Sequence, residues 1–170
     1  MINIREERPE DIATIRRINI KAFGRPLEAN LVEMLRTNDG ILLSLVATYG
    51  GQVAGHILYS PVTAGSGEKK IAGAGLGPMA VLPEYQRRGV GGKLIEFGIT
   101  RLKQSGCPFL VVLGHVDYYP RFGFRPASDY GLKCEWRVPD NAFMALALDE
   151  SKIRGASGLI KYRAEFSSVV

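Results

Sequence analysis

Residues 82–94, "LPEYQRRGVGGKL", decide how this chain is read. An apolar run, "IAGAGLGPMAVL" (71–82), ends at Leu82, and a helical pattern of Val90, Leu94, Gly98 and Leu102 begins among the glycines. Glycine costs about 1 kcal/mol in a helix interior relative to alanine. Gly89, Gly91 and Gly92 at a helix start therefore point to a backbone that needs unusual torsions or close approach. A helix N-terminus exposes N–H groups that lack intrahelical acceptors, and its dipole favours anions. Strand, glycine-rich turn and helix thus form a phosphate cradle, to which Arg87 and Arg88 add charge. A tight turn that needs glycine for its own sake is the plainer reading of the same residues.

Outward from the cradle, the elements alternate. Residues 2–5 read as a short strand. Pro9 opens a helix carrying Ile12, Ile15, Ile18 and Ala22, and Leu27, Leu31, Met34 and Leu35 make a second helix after Pro26. "ILLSLVATY" (41–49) and "QVAGHILYSPV" (52–62) flank Gly50-Gly51 as a hairpin. "TAGSGEKK" then turns the chain into 71–82, a strand that its glycines weaken and bend. Gly106 and Pro108 stop the helix after the cradle, and "FLVVLG" (109–114) is a buried strand. "KCEWRV" (133–138) and "FMALAL" (143–148) predict a closing hairpin, with Cys134, Trp136 and Val138 on its core face, and "GLIKYRAEF" (158–166) a last short strand. A meander, then β-α-β, then a hairpin implies a single α/β domain with a mixed sheet and covering helices.

Composition narrows the partners. At 46% hydrophobic and 23% charged, the chain has the balance of a globular protein with a real core. No apolar run reaches the roughly 18 residues that span a bilayer, and the charged start "MINIREERPED" lacks a signal peptide's apolar region, so no membrane partner is expected. Cys107 and Cys134 are isolated, which fits a reducing, cytoplasmic setting and speaks against a zinc site. The net charge of +5 is spread over pairs at Arg16-Arg17, Lys69-Lys70 and Arg87-Arg88. With no basic arm and no nucleic-acid-binding signature, a polyanionic small molecule is the expected partner rather than nucleic acid.

Familiar cradles do not fit. A P-loop needs Ser or Thr after Gly-Lys, and Gly92-Lys93 is followed by Leu94; a dinucleotide loop needs a final glycine where Leu94 stands. What fits is Gln/Arg-x-x-Gly-x-Gly/Ala, as Gln86-Arg87-Arg88-Gly89-Val90-Gly91. This resembles motif A of the GNAT superfamily of N-acetyltransferases, and "YYPRFGF" is similar to that family's motif B. "GHILYSPV", "GLGPMAVLPEYQRRGVG" and "VVLGHVDYYPRFGFRPA" together resemble its YhbS-like subgroup, and the resemblance spans nearly all of residues 1–149.

The resemblance implies a mixed, mostly antiparallel sheet of about six or seven strands, helices on both faces, and a split between the fourth (71–82) and fifth (109–114) strands. Residues 1–149 form the domain and 150–170 an extension packed on it. The co-substrate is acetyl-CoA, with no metal. Its pyrophosphate would lie on Arg87, Arg88, Gly89, Val90, Gly91 and Gly92, and its pantetheine arm against the backbone of Met79, Ala80 and Val81. Tyr119 matches the general acid for the leaving thiolate, with Tyr118 as its neighbour. Gly75 stands where some members carry a strand-4 glutamate base, so the base is left to His115, with His56, Glu84 or water as alternatives. The acceptor is an amine on a small molecule or peptide, and the family allows a homodimer. A non-catalytic acyl-CoA sensor is the alternative from another class.

Overall fold

The computed structural model describes residues 1–169. The chain runs β1 (Ile2–Glu6), α1 (Ile12–Phe23), α2 (Leu27–Thr37), β2 (Leu43–Tyr49), β3 (Gln52–Ala64), β4 (Ile71–Val81), α3 (Val90–Gln104), β5 (Phe109–Leu113), β6 (Arg125–Pro126), β7 (Leu132–Cys134), β8 (Phe143–Ala147), α4 (Glu150–Ile153) and β9 (Gly158–Lys161). Strand pairing follows β1-β2-β3-β4-β5-β8-β6, with β9 joining β3 and β7. This is the mixed, mostly antiparallel sheet expected. Two compact units divide the described residues: 1–60, 77–98 and 164–169 form the first, and 61–76 and 99–163 the second.

In the first unit β1, β2 and the start of β3 form an antiparallel meander, from Ile2↔Tyr49 to Leu43↔Tyr59. Gly50 and Gly51 turn the hairpin with φ of 58° and 82°, the double positive torsion of a two-residue turn that matches strand twist. Helices cover both faces of β3 because its side chains alternate. His56 points to α1, where it meets Asn19, while Gly55 and Tyr59 face α3. A Cβ at Gly55 would stand 2.9 Å from Val90 Cγ1 and 3.2 Å from Leu94 Cδ1, so the first turns of α3 lie directly on the strand backbone. Farther along α3, the Tyr59 ring occupies the space a side chain at Gly98 would need.

The second unit is organised on β5. Its parallel ladder to β4 consists of Ala74↔Leu110 and Gly75↔Val111, the site of the expected split. On its other side β5 runs antiparallel to β8, from Phe109↔Ala147 to Leu113↔Phe143. Val62, Phe109, Val111, Phe143, Ala145 and Ile160 are buried in one apolar cluster. Gly73 of β4 serves packing: a Cβ there would lie 2.5 Å from the Phe109 ring.

One expectation fails here, and another holds only for its first residues. Residues 133–138 do not form a hairpin with 143–148: β7 stops at Cys134 and pairs in parallel with β9, while β8 pairs with β5 and β6. Residues 135 and 136 turn to a different task, since the Glu135 carboxylate accepts the Tyr162 N–H at 2.8 Å and the Trp136 ring packs on Tyr162. The same hydrogen bond takes Tyr162 out of strand pairing, so β9 ends at Lys161 and residues 164–168 form a 3-10 turn.

Gly98→Val should destabilise the protein by about 3 kcal/mol, because a Cβ there would stand 2.2 Å from Tyr59 Oη in a fully buried contact. The check is a denaturant melt; a variant as stable as the native chain would show that the Tyr59 seat yields freely.

Candidate functional site

The cradle lies in the first unit. β4 ends at Val81, Pro83–Tyr85 make a 3-10 turn, and four residues lead into α3. Three hydrogen bonds set this path: Leu82 N to Ala54 O at 2.9 Å, Tyr85 N to Leu82 O at 2.8 Å, and Gln86 Nε2 to Val81 O at 3.0 Å. Gln86, the first motif residue, therefore ties the loop back to the strand that carries Met79 and Ala80.

Positive φ falls at Arg87 (62°) and Gly89 (85°). A non-glycine residue in this region stores local strain of order 1 kcal/mol or more, a feature that clusters at ligand-binding loops. Gly91 and Gly92 lie inside the first turn of α3, so the left-handed torsion expected of the glycine run belongs to Arg87 and Gly89 instead. Lys93 N closes the first helical bond onto Gly89 O at 3.1 Å, and the amides of Val90, Gly91 and Gly92 precede it at the positive end of a fifteen-residue helix. Val90 is buried against β3, which anchors that end, while Arg87, Arg88 and Gly89 are exposed. The Arg88 guanidinium lies 5.5 Å from the Tyr49 ring centre and 5.9 Å from that of Tyr85, in cation–π range of both. Its charge is thereby held beside the loop. Met79, Ala80 and Val81 thus end the strand to which Gln86 ties the loop.

Tyr119 and His115 lie together in the second unit. The His115 carbonyl accepts the N–H groups of Tyr118 at 3.2 Å and Tyr119 at 3.4 Å, which opens the 3-10 turn Tyr119–Phe122. Gly123 closes it with φ of 98°. The Tyr119 ring is buried, edge-on to Tyr118 at 5.2 Å and to Phe124 at 5.7 Å, and rests on Gly114, where a Cβ would be 2.5 Å from its Cε2. Tyr118 packs instead on Phe122 and under the Arg121 guanidinium. Burial, with the neighbouring Tyr118, pushes the Tyr119 phenol up to about 12, so it stays protonated across any ordinary assay range. The His115 side chain is exposed, and so is Glu84 in its 3-10 turn.

His56 has a different role. It is fully buried in the first unit, with Nε2 2.9 Å from Ser44 Oγ and Nδ1 3.3 Å from Asn19 Nδ2. Asn19 Nδ2 also donates to Ile15 O at 3.0 Å, which fits Nδ1 as acceptor and Nε2–H as donor. Ser44 Oγ in turn donates to Glu7, which Arg36 grips through two bonds at 3.0 and 3.1 Å. Burial works to raise the Glu7 carboxyl, yet the bonds from Arg36 and Ser44 hold it below its usual value. Burial drives His56 the other way, down to about 4, so it is a neutral structural link between α1 and β2. Sequence reasoning missed Tyr162, Trp136 and Glu135 as a packed group; their signals lay apart, in "KCEWRV" and "GLIKYRAEF".

Comparison with known proteins shows the family. Residues 3–127 match the model of the acetyltransferase (GNAT) domain. The chain belongs to the GNAT acetyltransferase family. The N-acetyltransferase YjhQ of Escherichia coli is 42% identical over 134 residues, 76% of this chain and 74% of that one. YhbS of the same organism is 34% identical over 165 residues, 96% of this chain and 98% of that protein. A crystal structure of E. coli YhbS in complex with CoA superposes with a TM-score of 0.90 at 33% identity, covering 98% of this chain and 92% of that one. A GNAT acetyltransferase from Brucella melitensis in complex with acetyl-CoA gives a TM-score of 0.78 at 37% identity, covering 98% of both. Among the described residues no group of three or more His, Cys, Asp or Glu could hold a metal ion, and no helix is long and apolar enough to cross a membrane.

Folded His56 takes up its proton only near pH 4, whereas an unfolded histidine does so near about 6.5. The stability this burial contributes is fully present above about pH 6.5 and is lost as pH falls towards 4, by up to about 3 kcal/mol. Melting temperature followed from about pH 7 to 5 should therefore fall, and His56→Gln should flatten that slope. An unchanged slope in the variant would assign the titration to another group.

Proposed function

We propose that this chain transfers the acetyl group of acetyl-CoA to a primary amine by direct attack. The observation that carries the reading is the cradle: positive φ at Arg87 and Gly89 immediately before the N-terminus of α3, with Arg88 held beside it. Amides and guanidinium together match a pyrophosphate. The loop residues Arg87 to Gly92 hold that group, and the backbone of Met79, Ala80 and Val81 takes the pantetheine arm. The relatives crystallised with CoA and with acetyl-CoA support the choice of ligand. We take residues 1–149 as the catalytic domain and 150–170 as its extension, in a cytoplasmic protein.

In the reaction the amine nitrogen attacks the thioester carbonyl, the C–N bond forms and the C–S bond breaks. The Tyr119 proton goes to sulfur, and the extra proton on nitrogen leaves to water, directly or through His115. A lysine amine is neutral only about one time in a thousand near neutral pH, a deficit of roughly 4 kcal/mol, while an α-amine loses about 1 kcal/mol. With glycine at position 75 and His56 sealed in the core, no buried base is assigned, and the acceptor is a weakly basic amine such as a peptide α-amine or an amino metabolite.

Turnover of acetyl-CoA over a panel of amines, with products read by mass, tests the reading; α-amines should lead. Acetyl-CoA at a hundred times its Kd should stabilise the protein by about 2.7 kcal/mol, and Gly89→Val should abolish the effect by barring the φ of 85°. No melting shift at millimolar acetyl-CoA would remove the cradle as its site. Tyr119→Phe should lower kcat about 10²- to 10³-fold with acetyl-CoA binding unchanged. Native turnover in that variant would assign the proton to water.

A further inference from the structure

Among the described residues Arg5, Arg16, Arg25, Arg36 and Arg125 each pair with a carboxylate. Arg88 does not: its guanidinium has two rings beside it, with centres 5.5 and 5.9 Å away, and no acid among those residues. The rings come from separate elements of the first unit. Tyr49 is the last residue of β2, in register with Ile2 of β1 and Gln52 of β3. Tyr85 closes the 3-10 turn after β4, where its N–H donates to Leu82 O at 2.8 Å and its side chain packs on the buried Ile18, Ala80 and Leu82. The ring centres lie 5.2 Å apart at an interplanar angle of 49°, and both rings are partly buried while Arg88 is exposed. Strand pairing thus fixes one ring and core packing the other, and Arg88 lies against both, immediately before Gly89.

Rings and acids hold a guanidinium with different results. A carboxylate in this place would cancel the charge of Arg88 and fill part of its donor fork. An aromatic ring attracts the cation through its quadrupole and leaves the charge uncancelled. Arg88 therefore keeps a full positive charge and planar N–H donors of the geometry that phosphate oxygens accept. A long side chain held in one place before binding also loses less freedom when the ligand arrives.

We propose that Tyr49 and Tyr85 are positioning residues for the phosphates of acetyl-CoA, acting through Arg88, which rests on the reading of residues 87–92 as the pyrophosphate cradle. The binding machinery then reaches beyond the motif loop to the end of β2, a strand far upstream of it in sequence.

The Kd of CoA, measured by calorimetry, tests this. Tyr49→Leu and Tyr85→Leu should each weaken CoA about two- to fivefold, and the two together on the order of tenfold. Tyr49→Phe and Tyr85→Phe should bind within about twofold of the native chain, because the ring and not the hydroxyl does the holding. In an Arg88→Gln background neither Leu change should weaken CoA further, since the rings act only through Arg88. Native affinity in both Leu variants, losses in the Phe variants equal to those in the Leu variants, or undiminished losses beside Arg88→Gln would each overturn the role. If Tyr85→Leu does not fold, Tyr49→Leu, which leaves the packing of Tyr85 on Ile18, Ala80 and Leu82 in place, carries the same comparisons. Native CoA affinity in Arg88→Gln, beside a Gly89→Val that has lost CoA, overturns this inference alone. Native CoA affinity in Gly89→Val removes the cradle reading and this one with it.

Discussion

Aromatic rings pressed onto glycine backbone hold this molecule in shape. Tyr59 lies on Gly98, Phe109 on Gly73, Tyr162 on Gly75 and Tyr119 on Gly114, each at a distance that no Cβ could share. Such a seat lets a large apolar surface come within van der Waals contact of a strand or helix axis, and it leaves the ring one place to be. In the first unit it draws α3 onto β3; in the second it fixes two phenols on neighbouring strands. Gly73 and Gly75 are thus less a weakness in β4 than the condition for its packing.

The cradle depends on the same close approach. Because Gly55 has no side chain, Val90 and Leu94 bring the first turns of α3 down onto β3, and the loop before them is left with a short path to cover. That path goes through left-handed torsions at Arg87 and Gly89. Burial of Val90 and Leu94 at one end and the Gln86–Val81 bond at the other over-determine the loop, which is how strain at Arg87 is sustained.

Much of this was legible in residues alone. The two-glycine hairpin at 50–51, the helix after Gly89 and the fifth strand follow from local torsion and periodicity, and motifs A and B identified the family. The C-terminal third was not legible in the same way. β7 and β9 are three and four residues long and pair in parallel across more than twenty residues of sequence, so neither carries a pattern of its own. The bond at the end of β9 runs from the Tyr162 N–H to the Glu135 carboxylate, a contact with no period. His56 was open as a base until its partners on α1 and β2 were seen to enclose it. At Gly73 and Gly75 the packing role was hidden, because a seat needs its ring, and Tyr162 stands 87 positions beyond Gly75.

Direct transfer, without an acetylated enzyme, is the central claim, and the pattern of initial rates tests it most directly. Rates measured over a grid of acetyl-CoA and amine concentrations should give double-reciprocal lines that intersect, since both substrates must be bound before sulfur leaves. Parallel lines, with acetyl-enzyme trapped in the absence of amine, would contradict the account by showing a covalent intermediate.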